Sequence, residues 1–143
     1  MAGQSKVASR TIPLATAQRI ARTLLWVLLA LPLALALTQT TASDLATTGA
    51  FLNWAGRMTG IAGLTCLLLA AALIVRVPGF DRPFGGLTKL WKTHHRLGAA
   101  SLLLLLAHPL LLAFAAAEVS LAAAAETLLP AAGEWPSWLG WGA

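Results

Sequence analysis

At 143 residues, 58% of them hydrophobic and 10% charged, with a mean hydropathy of +0.76, the composition excludes an ordinary soluble domain and indicates a multi-span membrane protein. The net charge of +5 raises nucleic acid as a partner, but the basic residues flank apolar runs instead of forming a polar domain, so no nucleic acid is expected and the cations read as topology determinants. The single cysteine, Cys66, lies inside an apolar run, cannot form an intrachain disulfide, and reads as a small packing residue.

Residues 1–19 are small, polar and basic, with Lys6, Arg10 and Arg19 and no acid, and read as a cytoplasmic leader. The first span is expected at about residues 20–37, apolar for nearly the ~20 residues a crossing helix needs. Pro32 falls inside it, where a membrane helix tolerates a kink. A cleavable signal peptide shares the basic start, the apolar run and the small residues at Thr40 to Ser43. The long polar leader and the spans that follow favour a retained helix.

A polar loop, residues 38–50, precedes a second span from about Phe51 or Trp54 to Val77. Gly56, Gly60 and Gly63 open it as a small-residue ridge, suited to a packed helix or to the flat face of a macrocycle. Arg57 stands beside this ridge, where it is placed either to pair with an anion such as a haem propionate or to snorkel to the interface. The connector 78–93 breaks helices with Pro78-Gly79, Pro83 and Gly85-Gly86, and Trp91 and Lys92 anchor the start of the next span.

That third span, residues 94–117, carries the chemistry. His94 and His108 are fourteen residues apart, ~40° short of four whole turns and ~21 Å of rise, so both rings leave one helix face at two depths. His95 to His108 is thirteen residues, which puts those two side chains ~140° apart; His94 is the better partner. A histidine in mid-membrane is costly to bury and points to function. Two imidazoles on one face suit two haems held one above the other, since haem takes an axial imidazole in an apolar slot, whereas ligands ~21 Å apart cannot share a zinc ion. The plainer alternative is a pair of hydrogen bonds to a neighbouring helix. Pro109 follows His108 and withholds the amide that would bond the Leu105 carbonyl, which could open room for a bulky ligand.

Residues 118–134 hold Glu118, Glu126 and Glu134 in an alanine-rich stretch, expected as a short interfacial helix ended by Pro130. Residues 135–143, with three tryptophans, read as the start of a fourth span, and the chain as a fragment or one part of a longer gene product. The expected fold is therefore all-α: a multi-span helical bundle of three full spans plus the start of a fourth. Nine of the ten Lys and Arg lie in the leader with the base of span one, or in the connector with its flanks. By the positive-inside rule the protein is a multi-pass cell-membrane protein with a cytoplasmic N-terminus, His94 near the cytoplasmic face and His108 deeper.

From Gly56 onward these residues resemble the ferric reductase-like transmembrane domain shared with NADPH oxidases. The resemblance rests on the Arg-x-x-Gly at Arg57 to Gly60, on Arg76 closing that span, on the His-x-x-x-Gly at His94 to Gly98, and on His108 with Pro109. It implies a six-helix bundle, truncated here, with two stacked b-type haems, each held by one histidine of the third helix and one of the fifth. It also implies a FAD and NAD(P)H domain or partner flavin reductase, with electrons passing through the haem at His94 to that at His108 and out to a ferric chelate or oxygen. Arg57, if it does not snorkel, and Arg96 are the cations that could meet haem propionates, Arg96 an inner one. The chain departs from the pattern in holding three histidines, too few to complete either haem, and no nucleotide-binding glycine motif, so it is not expected to turn over NAD(P)H alone. Two other functions fit the residues: the haem membrane subunit of a sulfoxide reductase system, and a non-enzymatic membrane anchor. A proton-conducting module ranks last, because Glu118 is the nearest acid to His108 and lies ten residues away.

Overall fold

The computed structural model describes residues 13–75 and 79–129. Four α-helices follow in order: α1 (Leu14–Thr38), α2 (Thr48–Leu73), α3 (Leu87–Ala117) and α4 (Leu121–Leu128), with no strand among the described residues. The first three are each long and apolar enough to cross a membrane, so the all-α multi-span bundle is the observed architecture. The lower leader, Arg76, Pro78, Pro130, Glu134 and the expected fourth span at 135–143 lie outside the described residues.

The helices overrun the expected spans for physical reasons. α1 starts six residues before Ile20, directly after Pro13, whose missing N–H costs nothing at a helix start. α3 starts at Leu87 instead of His94, because Gly85 and Gly86, at φ +85° and +96°, turn the chain into it. At 31 residues α3 is ~46 Å long, against a hydrocarbon core of ~30 Å, so its Lys89-Trp91-Lys92 turn extends beyond the apolar layer. Both Pro32 and Pro109 sit inside uninterrupted helices.

Packing is set by α2 and α3, the most extensive pairing among the described residues, which run antiparallel. The α2 face is built of small residues, Gly56, Gly63, Cys66 and Ala70, all buried, so the α3 backbone comes close. Adding a Cβ at Gly56 would meet Leu112 at 2.8 Å, and at Gly63 would meet Leu105 at 2.9 Å. The ridge of glycines therefore serves helix packing. Cys66, Ala70, Leu73, Leu90 and Leu97 form the buried cluster, with Leu25 and Leu29 of α1 against it. Outward faces are apolar, as lipid contact requires: Trp26 is 61% and Leu103 69% exposed.

The loop between α1 and α2 is tied down by side chains. Thr41 donates its N–H and its hydroxyl to the Asp44 carboxylate, at 2.8 and 2.7 Å, and Trp54 Nε1 donates to the Thr40 hydroxyl at 2.9 Å. At the same end the Glu118 carboxylate lies against Gly49 in the first turn of α2, where the helix dipole favours an anion. The short helix expected in 118–134 is α4, capped by Ser120, whose hydroxyl accepts from the Ala123 N–H at 3.0 Å.

Candidate functional site

Three polar side chains recur at heptad spacing on the α3 face toward α2: His94, Ser101 and His108. The two histidines make the same contact at two depths. His94 Nδ1–H donates to the Ala70 carbonyl at 2.9 Å, and His108 Nδ1–H donates to the Gly56 carbonyl at 2.8 Å. Ala70 and Gly56 are themselves fourteen residues apart, so the antiparallel pair brings two equally spaced carbonyls to two equally spaced rings. A carbonyl oxygen only accepts, which assigns the hydrogen to Nδ1 in each ring. In the neutral imidazole, Nε2 is then the atom with the free lone pair.

The His108 ring is seated by what α2 lacks. A Cβ on Gly60 would stand 2.8 Å from His108 Nδ1 and 3.0 Å from its Cε1, so the ring lies directly over the glycine backbone. Ser101, midway between the rings and 3% exposed, returns its hydroxyl to the Gly98 carbonyl of its own helix at 2.8 Å. Gly98 faces open space on the other side: a Cβ there meets nothing within 4 Å.

His94 also borders a hollow of about 920 Å³ whose wall includes Leu73, Phe80, Asp81, Leu90 and Trp91. The Trp91 ring stacks on His94 with centroids 5.5 Å apart. His95, by contrast, is exposed and donates Nδ1–H to the Trp91 carbonyl of its own helix at 3.1 Å. The same-face geometry expected for His94 and His108, with His95 turned away, is what the structure has.

The two arginines singled out from the sequence have contacts of their own. Arg57 is half-exposed and its guanidinium is 3.7 Å from Asp44. Hydrogen bonds from the Thr41 N–H and hydroxyl hold the Asp44 carboxyl below its ordinary value of 3.8, with Arg57 adding to the effect and partial burial opposing it. Arg96 borders a groove between α1 and α3 that shares no lining residue with the hollow at His94. Sequence reasoning did not find Gly60, Gly56 and Ala70 as the partners of the rings. The available signal was the matching fourteen-residue spacing of the two small residues.

Comparison with protein-family models, with curated proteins and with solved structures finds no significant match to this chain. Among the described residues no three His, Cys, Asp or Glu side chains converge on one point. What the α2–α3 pair offers is one imidazole nitrogen at each of two depths. That donor set fits a macrocycle already supplying four equatorial nitrogens, and fits poorly an ion that needs three or four protein ligands.

Proposed function

We propose that this chain contributes axial imidazoles, His94 and His108, to two b-type haems of a membrane oxidoreductase that moves electrons across the bilayer, of the ferric reductase or NADPH oxidase kind. The observation that carries the reading is the pair of Nδ1–H bonds to backbone carbonyls. Metal-ligating histidines characteristically donate the other ring N–H to a carbonyl or carboxylate, which fixes ring rotation and raises the basicity of the ligating nitrogen. Meeting this arrangement twice, at one spacing, on one face of a spanning helix, favours a role for both rings.

When bound, a haem supplies a one-electron iron centre whose potential follows its ligands and burial. The chain's own part is to hold and insulate. Gly60 seats His108, Ala70 and Gly56 fix the tautomers, and the hollow walled by Leu73, Phe80, Leu90 and Trp91 offers apolar space beside His94. Each haem needs a second ligand, which three histidines in the chain do not provide, so the proposal includes a partner element bearing imidazoles and a flavin reductase domain or subunit. The proposal does not rest on Arg57, which lies beside Asp44, or on Arg96, which borders a separate groove. The proposed setting is the cell membrane with the N-terminus cytoplasmic.

A second reading is favoured by the same two bonds taken as ends in themselves: His94 and His108 staple α3 to α2, and the chain is a non-enzymatic anchor. Interhelical bonds of this kind contribute about 0.6 kcal/mol, at most about 1.7. A reduced-minus-oxidised absorption spectrum of the protein purified with its membrane partners separates the readings. A b-type haem spectrum lowered by His94→Ala and by His108→Ala supports electron transfer. Loss of helix-pair stability in both variants, with no haem signal in the parent, supports the anchor.

A further inference from the structure

Another concave feature among the described residues is lined by neither His94 nor His108. A groove of about 510 Å³ runs between α1 and α3, and four cations border it: Arg22 from α1, and Lys89, Lys92 and Arg96 from α3. The three on α3 are spaced three and four residues apart, which aligns them along one helix face. Gln18 and Thr93 add hydrogen-bonding groups, and among the described residues no acid borders the groove. Among the described residues the ion pair within 4.0 Å is Arg57 with Asp44, at the opposite end of the bundle, so none of these four cations is paired with a described carboxylate at that distance.

The lining changes character along α1. Gln18 and Arg22 border its polar end, then Leu25, Leu29 and the partly outward-facing Trp26 its apolar continuation, over ~16 Å of rise. Leu97 on α3 continues the apolar wall, and Pro83 and Phe84 close one side. A polar, cationic mouth leading into an apolar channel parallel to the helices has the shape and chemistry of a phospholipid, with phosphate above and acyl chain below. Basic pockets between spanning helices are the known form of anionic-lipid recognition.

We propose that this groove is a binding site for one anionic phospholipid, with the phosphodiester held by Arg22, Lys92 and Arg96 and an acyl chain lying along Leu25, Trp26 and Leu29. The site is independent of the haem reading and stands whether or not that reading does. The simplest competing account gives the cations no ligand and only a topological task; it predicts that any basic residue at this end is equivalent to any other.

Native mass spectrometry of the detergent-purified full chain, titrated with phosphatidylglycerol, phosphatidylcholine or inorganic phosphate, tests the site. The expected result is a saturable one-to-one adduct with phosphatidylglycerol, binding of phosphatidylcholine weaker by about tenfold or more, and no displacement by millimolar phosphate. Arg22→Gln and Lys92→Gln are each expected to weaken phosphatidylglycerol binding by about fivefold, the contribution of one cation near an anionic lipid surface. Arg82→Gln, which removes a charge from the same end but outside the groove, leaves it unchanged. Retained helical circular dichroism and rescue by Arg22→Lys exclude misfolding as the cause. Equal binding of the two lipids overturns the proposal, as does competition by free phosphate, which would make this a soluble-anion site. An effect of Arg82→Gln as large as that of Arg22→Gln also overturns it.

Discussion

One methyl group on Gly60 would occupy the place of the His108 ring, and this makes the glycine as specific to the site as the histidine. Gly60→Ala forces the ring off its seat, because a Cβ 2.8 Å from Nδ1 meets a rigid imidazole and not the end of a flexible chain. The expected cost is about 1 to 3 kcal/mol of helix-pair stability, the range for overpacking a close contact, together with loss of the bond to the Gly56 carbonyl. Gly98→Ala is the control, since nothing lies within 4 Å of its added Cβ and a helix-interior alanine is favoured by about 1 kcal/mol over glycine. Thermal unfolding of the two variants in detergent is expected to move in opposite directions. A Gly60→Ala protein as stable as its parent would show that the ring is not seated on this backbone. At this scale the choice of His94 over His95 was legible, because helical angle alone decides which rings share a face. The partners of the rings were not legible: a carbonyl acceptor carries no side-chain signature. Nor was the direction of Arg96, which depends on where α1 packs against α2 and the Arg82–Phe84 turn.

Helix existence was written in the apolar runs, and helix ends were not. Apolarity marks the part of a helix inside the bilayer, whereas α1 and α3 continue through Gln18 and Lys89 into the interface, and their starts follow Pro13 and Gly86. The turn between α1 and α2 shows how a polar loop is given definite structure. Its Asp44 carboxylate accepts both Thr41 hydrogen bonds and faces Arg57, so its ionised form is stabilised when folded. The sign of the pH dependence follows. A carboxyl held below its unfolded value contributes stability that is fully present above the unfolded pKa and is lost as pH falls through the folded one. The stability difference between the parent and Asp44→Ala is therefore expected to be constant above about pH 5 and to shrink below about pH 4. Chemical denaturation of both proteins in detergent across pH 3 to 7, at about that resolution, measures it. A difference that stays constant down to the lowest pH would mean that the carboxylate does not hold the turn.

Among the described residues the cations gather at one end, with Asp81 the acid beside them. Arg22, Lys89, Lys92 and Arg96 gather around one groove, which shows that the basic base of α1 and the basic start of α3 share a side of the bundle, while Asp44, Arg57 and Glu118 meet at the other. An even arrangement would leave the orientation of the chain undetermined; this one biases it strongly, since cations near span ends are retained in the cytoplasm. The expected topology has the Asp44 turn outside and the start of α3 inside. Single cysteines in a Cys66→Ala background report on it, because Ala46 and Thr88 are both exposed and lie on opposite sides of α2. Ala46→Cys is expected to react with a membrane-impermeant maleimide in intact cells, and Thr88→Cys only after permeabilisation. The reverse pattern would put His94 near the outer face and His108 toward the cytoplasm. Electron flow from a cytoplasmic flavin would then have to enter at His108, and the groove bordered by Arg22 and Arg96 would open to the outer leaflet. Both proposals depend on different residues, yet this one labelling experiment fixes the direction of the first and the leaflet of the second.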